Sequence, residues 1–343
     1  MSGSIASASA DPSTRTVRRD LVISVNWIGD AIMAMPALQL YRRLHPDRYI
    51  AVLARGVIAD LWNMHAAPDE VIRYDQRPGF FSPLFDDLRN RYFDQAWILP
   101  NSFRSAWMAF RSGIARRSAM AGGWRRPLLN DVPERKVSQN RLHQSWEYIE
   151  LMARDYKLDQ IPRPELAMET SQIHEIQSRM KSWSLPAIGM IPGAARGPSK
   201  RWPAGHFEAL ALKMARDQYH IVLFGGHDDA PICDELVKRI GAQATSLAGR
   251  TSLLEWAAMM KSCDLIVAND SGGMHLAAAL GVPVVALYGM TDPGRTGPIG
   301  DRCTVIQHSR RRSRDIARNS VEAEKSLASI QPEEVYLAVK AML

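Results

Sequence analysis

The sequence has few cysteines and no long apolar run, and each absence excludes a class of protein. No uninterrupted apolar stretch approaches the roughly 20 residues that a helix needs to cross a bilayer, so we expect no membrane span. Residues 1–16 lack both the basic start and the apolar stretch of a secretion signal, and we interpret them as a disordered tail. The cysteines Cys233, Cys263 and Cys303 are far apart and form no C-x-x-C pair, which argues against a disulfide framework or a zinc site. A reducing cytoplasm fits this composition best.

The composition, and the alternation of apolar stretches with amphipathic segments, predict two α/β domains. The 343 residues are 46% apolar and 23% charged, and a chain of this length can form two domains of about 150 residues each. Short stretches rich in Val and Ile alternate with amphipathic segments, which is the pattern of βα units around a parallel sheet. We therefore predict an α/β protein with two Rossmann-like domains that face each other across a central cleft.

The predicted domain boundaries follow from this alternation of apolar and amphipathic segments. Residues 17–165 form an N-terminal Rossmann-like domain, residues 187–330 form a C-terminal Rossmann-like domain, and residues 331–343 form a final helix. The weakly periodic residues 166–186 are the predicted linker. Predicted strands are Leu21–Asn26, Tyr49–Ala54, Val71–Tyr74, Gln95–Pro100, Ala187–Ile191, His220–Phe224, Leu265–Asn269 and Val282–Tyr288. Predicted helices in the second half are Gly205–Asp217, Asp229–Ile240, Ser252–Ser262 and Met274–Leu280.

Positive charge is concentrated in two places, although the net charge of +7 is modest. Six arginines and no acidic residue lie between Ser102 and Asn130, and a second cluster comprises Arg310, Arg311, Arg312 and Arg314. A solvated surface explains most such runs, and it competes here with a surface for phosphates on an anionic lipid or a nucleic acid. Nucleic acid is the weaker alternative because no recognised binding motif accompanies the charge.

The segment Asn269–His275 (NDSGGMH) predicts a phosphate-binding turn. It joins the predicted strand LIVAN to the helix MHLAAALG, and the free N–H groups and the positive dipole end of a helix attract anions. Gly272 and Gly273 let a ligand approach the backbone closely. An alternative is that Asp270 and Ser271 only cap the helix.

The segment Gly193–Phe207 (GAARGPSKRWPAGHF) also follows a predicted strand and precedes a helix. Lys200 and Arg201 can neutralise a phosphate as the bond to a donor breaks. The spacing from Gly193 to Lys200 is not that of a Walker A loop. The alternative is that this Lys-Arg pair is an ordinary solvated surface feature.

The segment Val25–Leu38 (VNWIGDAIMAMPAL) follows the first predicted strand. Asp30 is expected where the N-terminal sheet opens onto the cleft, and a carboxylate there can take the proton from an attacking hydroxyl. Capping of the helix that it begins is the alternative role for Asp30. Met33, Met35 and Leu38 are expected to pack in the core.

These motifs together resemble a known family. GDAIMAMPAL (Gly29–Leu38), GPSKRWP (Gly197–Pro203), NDSGGMHLAAALGVPVVALYGMTDPGRTGP (Asn269–Pro298) and their order look like the ADP-heptose:lipopolysaccharide heptosyltransferases of glycosyltransferase family 9. The forms NWIGD and GPSKRWP are more similar to the type II members, which add the second heptose. The likeness covers most of residues 20–300.

The resemblance implies a GT-B fold and an inverting, metal-independent transfer of L-glycero-D-manno-heptose from ADP-heptose to the inner core of lipopolysaccharide. It implies no cofactor, because ADP-heptose is a substrate. No Asp-x-Asp occurs in the chain, in keeping with an enzyme that binds no metal. The expected partners are the nucleotide-sugar donor, the acidic core acceptor and an anionic membrane surface, with no nucleic acid. The expected location is the cytoplasm, peripheral at the inner face of the cytoplasmic membrane.

The resemblance also assigns roles to residues. Asp30 matches the family's proposed general base, and Lys200 matches the lysine that meets the donor phosphates. The expected donor-binding residues are Gly193, Lys200, Arg201, Glu255, Asp270, Ser271, Gly272, Gly273, Met274 and His275. Glu255 falls where the family has an acidic residue suited to ribose hydroxyls. Candidate acceptor-binding residues are Trp27, Arg104, Arg116, Arg117 and Arg125. Thr291 and Asp292 fall in a motif near the cleft.

One departure concerns the region after Pro298. Type II members usually carry several cysteines there, whereas this chain has only Cys303 and a basic run through Arg314. The acceptor is therefore less defined than the donor. Two alternatives stay open, a transferase for a different nucleotide sugar and a non-catalytic sugar-nucleotide-binding protein.

Overall fold

The computed structural model describes residues 17–133, 143–194, 197, 200–309 and 321–343. The predicted N-terminal tail, the second arginine cluster (Arg310, Arg311, Arg312 and Arg314), and Ala195, Arg196, Pro198 and Ser199 of the second motif lie outside these residues.

The first half of the chain builds a parallel sheet of five strands in the order β3-β2-β1-β4-β5. The strands are β1 Arg19–Ile23, β2 Tyr49–Arg55, β3 Glu70–Tyr74, β4 Gln95–Ile98 and β5 Arg116–Ser118. The helices are α1 Ile28–Leu44, α2 Val57–Asn63, α3 Leu84–Asn90 and α4 Phe103–Arg111, and a short 3-10 helix spans Gly123–Leu128. The central strand β1 pairs Val22 with Val52 of β2 and with Trp97 of β4.

Two helices join the halves. α5 Ser145–Met152 packs on α1, and α6 Thr170–Met180 lies within the residues that we predicted as a linker. Ile173 and Ile176 form the buried face of α6, and its Gln177 donates a hydrogen bond to the carbonyl of Ala258. α6 is therefore docked on the C-terminal half.

The second half builds a parallel sheet of six strands in the order β11-β10-β9-β6-β7-β8. The strands are β6 Ala187–Ile191, β7 His220–Leu223, β8 Ala244–Ser246, β9 Leu265–Asn269, β10 Val284–Tyr288 and β11 Cys303–Gln307. The helices are α7 Ala204–Arg216, α8 Ala230–Ile240, α9 Leu253–Met260, α10 Gly272–Ala279, α11 Pro293–Thr296, α12 Val321–Ala328 and α13 Pro332–Met342. The central strands β6, β9 and β10 are buried along their whole length, as expected for strands covered on both faces.

All eight predicted strands are present, and the structure adds β5, β8 and β11. Each added strand lies at an edge of its sheet, and two of them have only three residues. β5 has the sequence RRS, which carries no apolar alternation. Edge strands of this kind form because a neighbour offers free backbone groups, a reason that local sequence does not reveal.

Helix α1 occupies the centre of the molecule. Twelve of its 17 residues are buried, because α5 covers one side and α10 covers another. A helix with neighbours on several sides is apolar around most of its circumference, which explains the run AIMAMPAL in its sequence. The first turns of α1 and α10 thus meet at the carboxyl ends of the two sheets. Among the described residues, no helix has the length and apolar character needed to cross a membrane.

Burial of His65 predicts a loss of stability in mild acid. Its Nδ1 accepts a hydrogen bond from the amide of Ala67 at 3.1 Å and its Nε2 lies 3.3 Å from Gln39 Oε1, so the ring is neutral. Burial lowers its pKa from 6.5 to about 4. The unfolded chain therefore takes up a proton between these values and the folded chain does not. The contribution of His65 to stability is fully present above pH 6.5 and falls by about 3 kcal/mol as the pH drops to 4.

Urea unfolding followed by tryptophan fluorescence across this pH range measures the effect. His65→Gln should make the dependence shallower by the His65 contribution, with the contribution of buried His275 remaining, and the exposed His174→Gln should leave the dependence unchanged. Equal pH slopes in the wild type and in His65→Gln would contradict the assignment.

Candidate active site

A cavity of about 410 Å³ lies between the two halves, where the first turns of α1 and α10 meet. The N-terminal half contributes the end of β1 and the start of α1, and the C-terminal half contributes the loops after β6, β7, β9 and β10. The lining includes Trp27, Gly29, Asp30, Met33, Gly193, Lys200, Gly225, Gly226, Asp229, Trp256, Asp270, Ser271, Gly272, Gly273, His275, Thr291 and Thr296. Residues from three predicted motifs are thus brought to one place.

Asn269 fixes the turn that precedes α10. Its side chain is fully buried, accepts a hydrogen bond from the amide of Trp202 at 3.0 Å and donates one to the carbonyl of Pro192 at 2.9 Å. These bonds tie the end of β9 to the loop that carries Lys200. The sequence predicted both loops as phosphate contacts, and Asn269 joins them.

The first turn of α10 offers donors to the cavity. Ser271 is the N-cap residue, yet its side chain makes no capping bond, and its Oγ is buried without a hydrogen-bond partner. The first N–H groups of a helix have no acceptor within the helix, and the helix dipole adds positive potential there. This turn is therefore suited to an anion.

Lys200 and Asp270 form an ion pair inside the cavity. The Lys200 Nζ lies 2.5 Å from Asp270 Oδ2, and both side chains are mostly buried, with exposed fractions of 22% and 10%. Asp270 thus holds the ammonium group beside the α10 turn and does not serve as the N-cap. A diphosphate bound at the turn would meet this cation.

The glycines of the motifs permit close packing of protein on protein. A Cβ on Gly272 would lie 2.9 Å from the Cβ of Ile28, and one on Gly29 would lie 2.8 Å from the ring of His275. Neither glycine has a positive φ. The sequence suggested that Gly272 and Gly273 admit a ligand, and the structure adds that they let α10 approach its neighbours.

We predict that Gly272→Ala destabilises the protein by about 1–3 kcal/mol, because the added methyl group forces α10 away from α1. The matched control is Gly205→Ala in the first turn of α7, where no atom lies within 4 Å of the added Cβ. Gly205→Ala should leave stability unchanged or raise it by less than about 1 kcal/mol. Denaturant unfolding measures the free energy of unfolding of both variants. Equal effects of the two substitutions would show that the close packing of α10 at Gly272 is not required.

His275 is a neutral histidine at the back of the cavity. Burial lowers its pKa to about 4, and the positive charge of Lys200 contributes to the lowering, against an opposing effect of Asp270. Its Nδ1 is buried without a hydrogen-bond partner. A neutral ring in this place can pack against Gly29 without adding charge to the site.

Asp30 lies in the first turn of α1 and lines the cavity. Gln144 donates from Nε2 to Asp30 Oδ1 at 3.4 Å and to the hydroxyl of Tyr148 at 3.0 Å. Burial raises the pKa of Tyr148, and the negative charge of Asp30 raises it further. The site thus keeps Tyr148 protonated, and Gln144 links its hydroxyl to the carboxylate of Asp30.

Contacts around α5 join the two halves beside Asp30. The backbone N–H of Gln144 donates a hydrogen bond to the carbonyl of Arg295 at 2.9 Å, and His143 Nε2 lies 3.1 Å from the carbonyl of Gly297. Arg295 also pairs with Glu147 at 3.5 Å. Sequence reasoning missed Gln144 because it follows no strand and belongs to no motif.

Three of the predicted donor residues do not line the cavity. Glu255 completes the capping box of α9 with Ser252 and pairs with Arg179. Met274 is fully buried, with its sulfur 3.5 Å from the hydroxyl of Tyr288. Arg201 lies 3.6 Å from Asp229, which lines the cavity, and donates a hydrogen bond to the carbonyl of Ala194 at 3.3 Å. Trp256, next to Glu255, lines the cavity instead. Sequence reasoning missed Trp256, because its position on a helix was the only sequence feature that could have indicated a place in the site.

The arginines predicted for the acceptor do not gather at the cavity. Arg116 and Arg117 begin β5, and Arg116 lies opposite Gln95 at the amino-terminal end of β4. Both arginines therefore lie at the amino-terminal edge of the sheet, whereas the cavity lies at its carboxyl-terminal edge. Arg116 pairs with Asp131, and Arg117 donates to the carbonyl of Leu128.

Arg125 is 2% exposed and donates to the carbonyl of Met120 at 2.8 Å, a structural role. Arg104 lies in the first turn of α4 at the carboxyl edge and donates to the carbonyl of Pro78 at 2.6 Å. Trp27 is 50% exposed at the mouth of the cavity.

Acidic and histidine side chains do not form a metal site in the part of the chain that the structure describes. No group of three or more His, Cys, Asp or Glu side chains is arranged there to hold a metal ion.

Comparison with known proteins gives consistent similarities. The family described as "Glycosyltransferase family 9 (heptosyltransferase)" matches residues 82–325. Lipooligosaccharide heptosyltransferase 2 of Haemophilus influenzae is 33% identical over 306 residues, covering 84% of this chain and 88% of that protein. Lipopolysaccharide heptosyltransferase 2 of Escherichia coli is 31% identical over 345 residues, covering 94% and 98%. The solved structure of E. coli ADP-heptose lps heptosyltransferase II superposes with a TM-score of 0.82, covering 94% and 98% of the two chains at 31% identity. This match confirms the predicted GT-B architecture.

Proposed function

From the premise that this chain belongs to glycosyltransferase family 9, we propose that it transfers L-glycero-D-manno-heptose from ADP-heptose to the inner core of lipopolysaccharide. The predicted family resemblance is confirmed, and the protein is a glycosyltransferase. The proposed donor and acceptor are those named for its relatives, and near-complete coverage of both chains supports their extension to this one.

The observation that carries the proposal is one cavity with a carboxylate from one half of the chain and an anion-binding turn from the other. Asp30 comes from the N-terminal half, whereas Lys200 and the first turn of α10 come from the C-terminal half. A transferase needs a base for the acceptor hydroxyl and a cationic seat for the leaving diphosphate, and these groups supply both.

The proposed reaction is a single displacement. Asp30 takes the proton of the acceptor hydroxyl as its oxygen attacks the anomeric carbon of the heptose. The bond from the anomeric carbon to the diphosphate oxygen breaks, and ADP leaves with the electron pair. Attack from the side opposite the leaving group inverts the anomeric configuration. Lys200, Ser271 and the free N–H groups of α10 stabilise the charge that develops on the diphosphate.

Cations and amide groups of the chain would do the work that a metal ion does in other transferases. We propose that no metal and no cofactor takes part, since the donor is itself a substrate. Because the proposed acceptor is linked to a lipid, we propose that the enzyme works in the cytoplasm, peripheral at the inner face of the cytoplasmic membrane, with the anionic membrane surface as a partner and no nucleic acid.

The test is the product formed from ADP-heptose and defined core acceptors. Mass spectrometry should detect one added heptosyl residue on a core that already carries the first heptose. Transfer only to the unheptosylated core would overturn the assignment to the second heptose. Calorimetry with ADP, UDP and GDP tests the donor, and a preference for UDP or GDP would overturn the choice of ADP-heptose.

A further inference from the structure

Exposed aromatic side chains gather along helix α4, which begins at the carboxyl edge of the N-terminal sheet and ends where the Phe110 ring lies 5.5 Å from the guanidinium carbon of Arg117. Phe103, Trp107 and Phe110 follow the spacing i, i+4, i+7 and share one face of the helix. Phe103 and Phe110 are 46% and 45% exposed. Phe80, from the loop after β3, packs edge-on against Trp107 with ring centroids 5.4 Å apart. These rings form a cluster that the N-terminal core does not cover.

Two further exposed aromatic residues lie on chain segments that adjoin this cluster. Phe81 is 85% exposed and lies with its ring 6.0 Å from the guanidinium carbon of Arg111. Trp124 is 94% exposed and sits on the short 3-10 helix that packs against α4. We call Phe80, Phe81, Phe103, Trp107, Phe110 and Trp124 the aromatic patch. An exposed tryptophan and an exposed phenylalanine in one patch indicate an interaction site.

A small cavity opens within the aromatic patch. Its volume is about 230 Å³, and its walls are Pro78, Phe85 and rings of the patch. Arg104 is the one charged residue of its lining. An apolar space with a cation at its wall suits a ligand that is both apolar and anionic.

Positive charge surrounds the aromatic patch. Arg55, Arg77 and Arg104 lie close enough to Tyr74 for their charges to oppose the rise in its pKa that burial causes. Arg111 lies near the Phe81 ring, Arg126 follows Trp124 by two residues on the 3-10 helix, and no acidic residue occurs between Ser102 and Asn130. The nearby acidic residues of α3 are already paired, Asp86 with Arg89 and Asp87 with Arg91. The patch is therefore complementary to an anionic surface.

We propose that the aromatic patch docks on an anionic phospholipid bilayer, with its rings in the headgroup region and its arginines against lipid phosphates. Aromatic rings favour the membrane interface, and each basic residue near an anionic leaflet adds attraction. A second copy of this chain is a poorer occupant, because two equally basic faces repel each other.

Membrane docking extends the proposed function. It depends on that function only for its biological purpose, which is to bring the enzyme to its acceptor. The aromatic patch and Asp30 follow carboxyl ends of strands in the same sheet, so docking would turn the cleft toward an acceptor anchored in the membrane. Docking itself needs neither donor nor acceptor.

The experiment is flotation of the full chain with vesicles of phosphatidylcholine alone or of phosphatidylcholine with phosphatidylglycerol. Wild-type protein should bind the anionic vesicles more tightly, and binding should weaken as salt shortens the Debye length below about 8 Å. The double substitution Phe81→Ser and Trp124→Ser should weaken binding by about tenfold or more. Arg126→Glu should weaken it by about fivefold or more at low salt.

The matched control is Leu337→Ser on α13, because Leu337 is 60% exposed in the other half of the chain. This variant should bind vesicles as the wild type does. The proposal would be overturned if the wild-type protein does not bind anionic vesicles, or if the Phe81/Trp124 variant binds them as the wild type does. A change of oligomeric state in that variant without a change in vesicle binding would assign the patch to contacts between copies. ADP calorimetry and transfer to a delipidated core report separately on the proposed function.

Discussion

Replacing Asp30 with Asn should lower kcat for heptosyl transfer by about 10²- to 10⁴-fold, the contribution typical of a general base. Asn has the same shape and can still accept the hydrogen bond from Gln144, so the site should keep its geometry. It cannot take the proton of the acceptor hydroxyl. Affinity for ADP should change little, because Asp30 comes from the N-terminal half and the proposed phosphate contacts come from the C-terminal half.

The control for loss of a carboxylate is Asp60→Asn. Asp60 lies in the first turn of α2 and pairs with Arg73 at the surface, so this variant should retain full kcat. Steady-state kinetics with saturating ADP-heptose, together with ADP calorimetry, separates chemistry from binding. A kcat for Asp30→Asn within about threefold of wild type would remove Asp30 from proton transfer, since a general base contributes far more.

Replacing Lys200 with Met should lower kcat by about 10²- to 10³-fold, in the range seen when one stabilising donor is removed from a transition state. It should also weaken ADP binding. The structure gives a reason for the second effect, because Asp270 loses its partner and keeps a mostly buried negative charge beside the diphosphate.

The double variant Lys200→Met with Asp270→Asn distinguishes the two effects. Removal of both charges should restore much of the ADP affinity, since the repulsion is gone, while kcat stays low because the cation is still absent. Full recovery of kcat would show that Lys200 only neutralises Asp270. Unchanged kcat in Lys200→Met alone would rule out its proposed role toward the leaving group.

Local sequence predicted the strands of the sheets well where apolar residues are continuous. Ala187–Ile191 and Leu265–Asn269 match the structure residue for residue, because strands buried on both faces are apolar throughout. The edge strands β5, β8 and β11 carry no such pattern and depend on their neighbours.

The same limit applies to the arginines. Charge counting grouped Arg104 to Arg126 as one surface, whereas the fold separates them. Arg116 and Arg117 lie at the amino ends of the strands, Arg125 is buried, and Arg104 borders the aromatic patch. Three rings of that patch share a helical spacing, but their exposure could not be read from the sequence, because exposure of an aromatic residue is a property of the folded surface.

The sequence by itself determined the fold class, the order of the βα units and the loops that carry Asp30, Lys200 and Asp270. These follow from local periodicity and from the rule that functional loops of parallel sheets lie after strands. The tertiary structure alone decided that Lys200 pairs with Asp270, that Gln144 contacts Asp30, and that Gly272 lets α10 approach α1. The physical reason is distance along the chain: Gln144 lies 114 residues from Asp30, and Asp270 lies 70 residues from Lys200. Only packing of the two halves brings such groups within hydrogen-bonding reach.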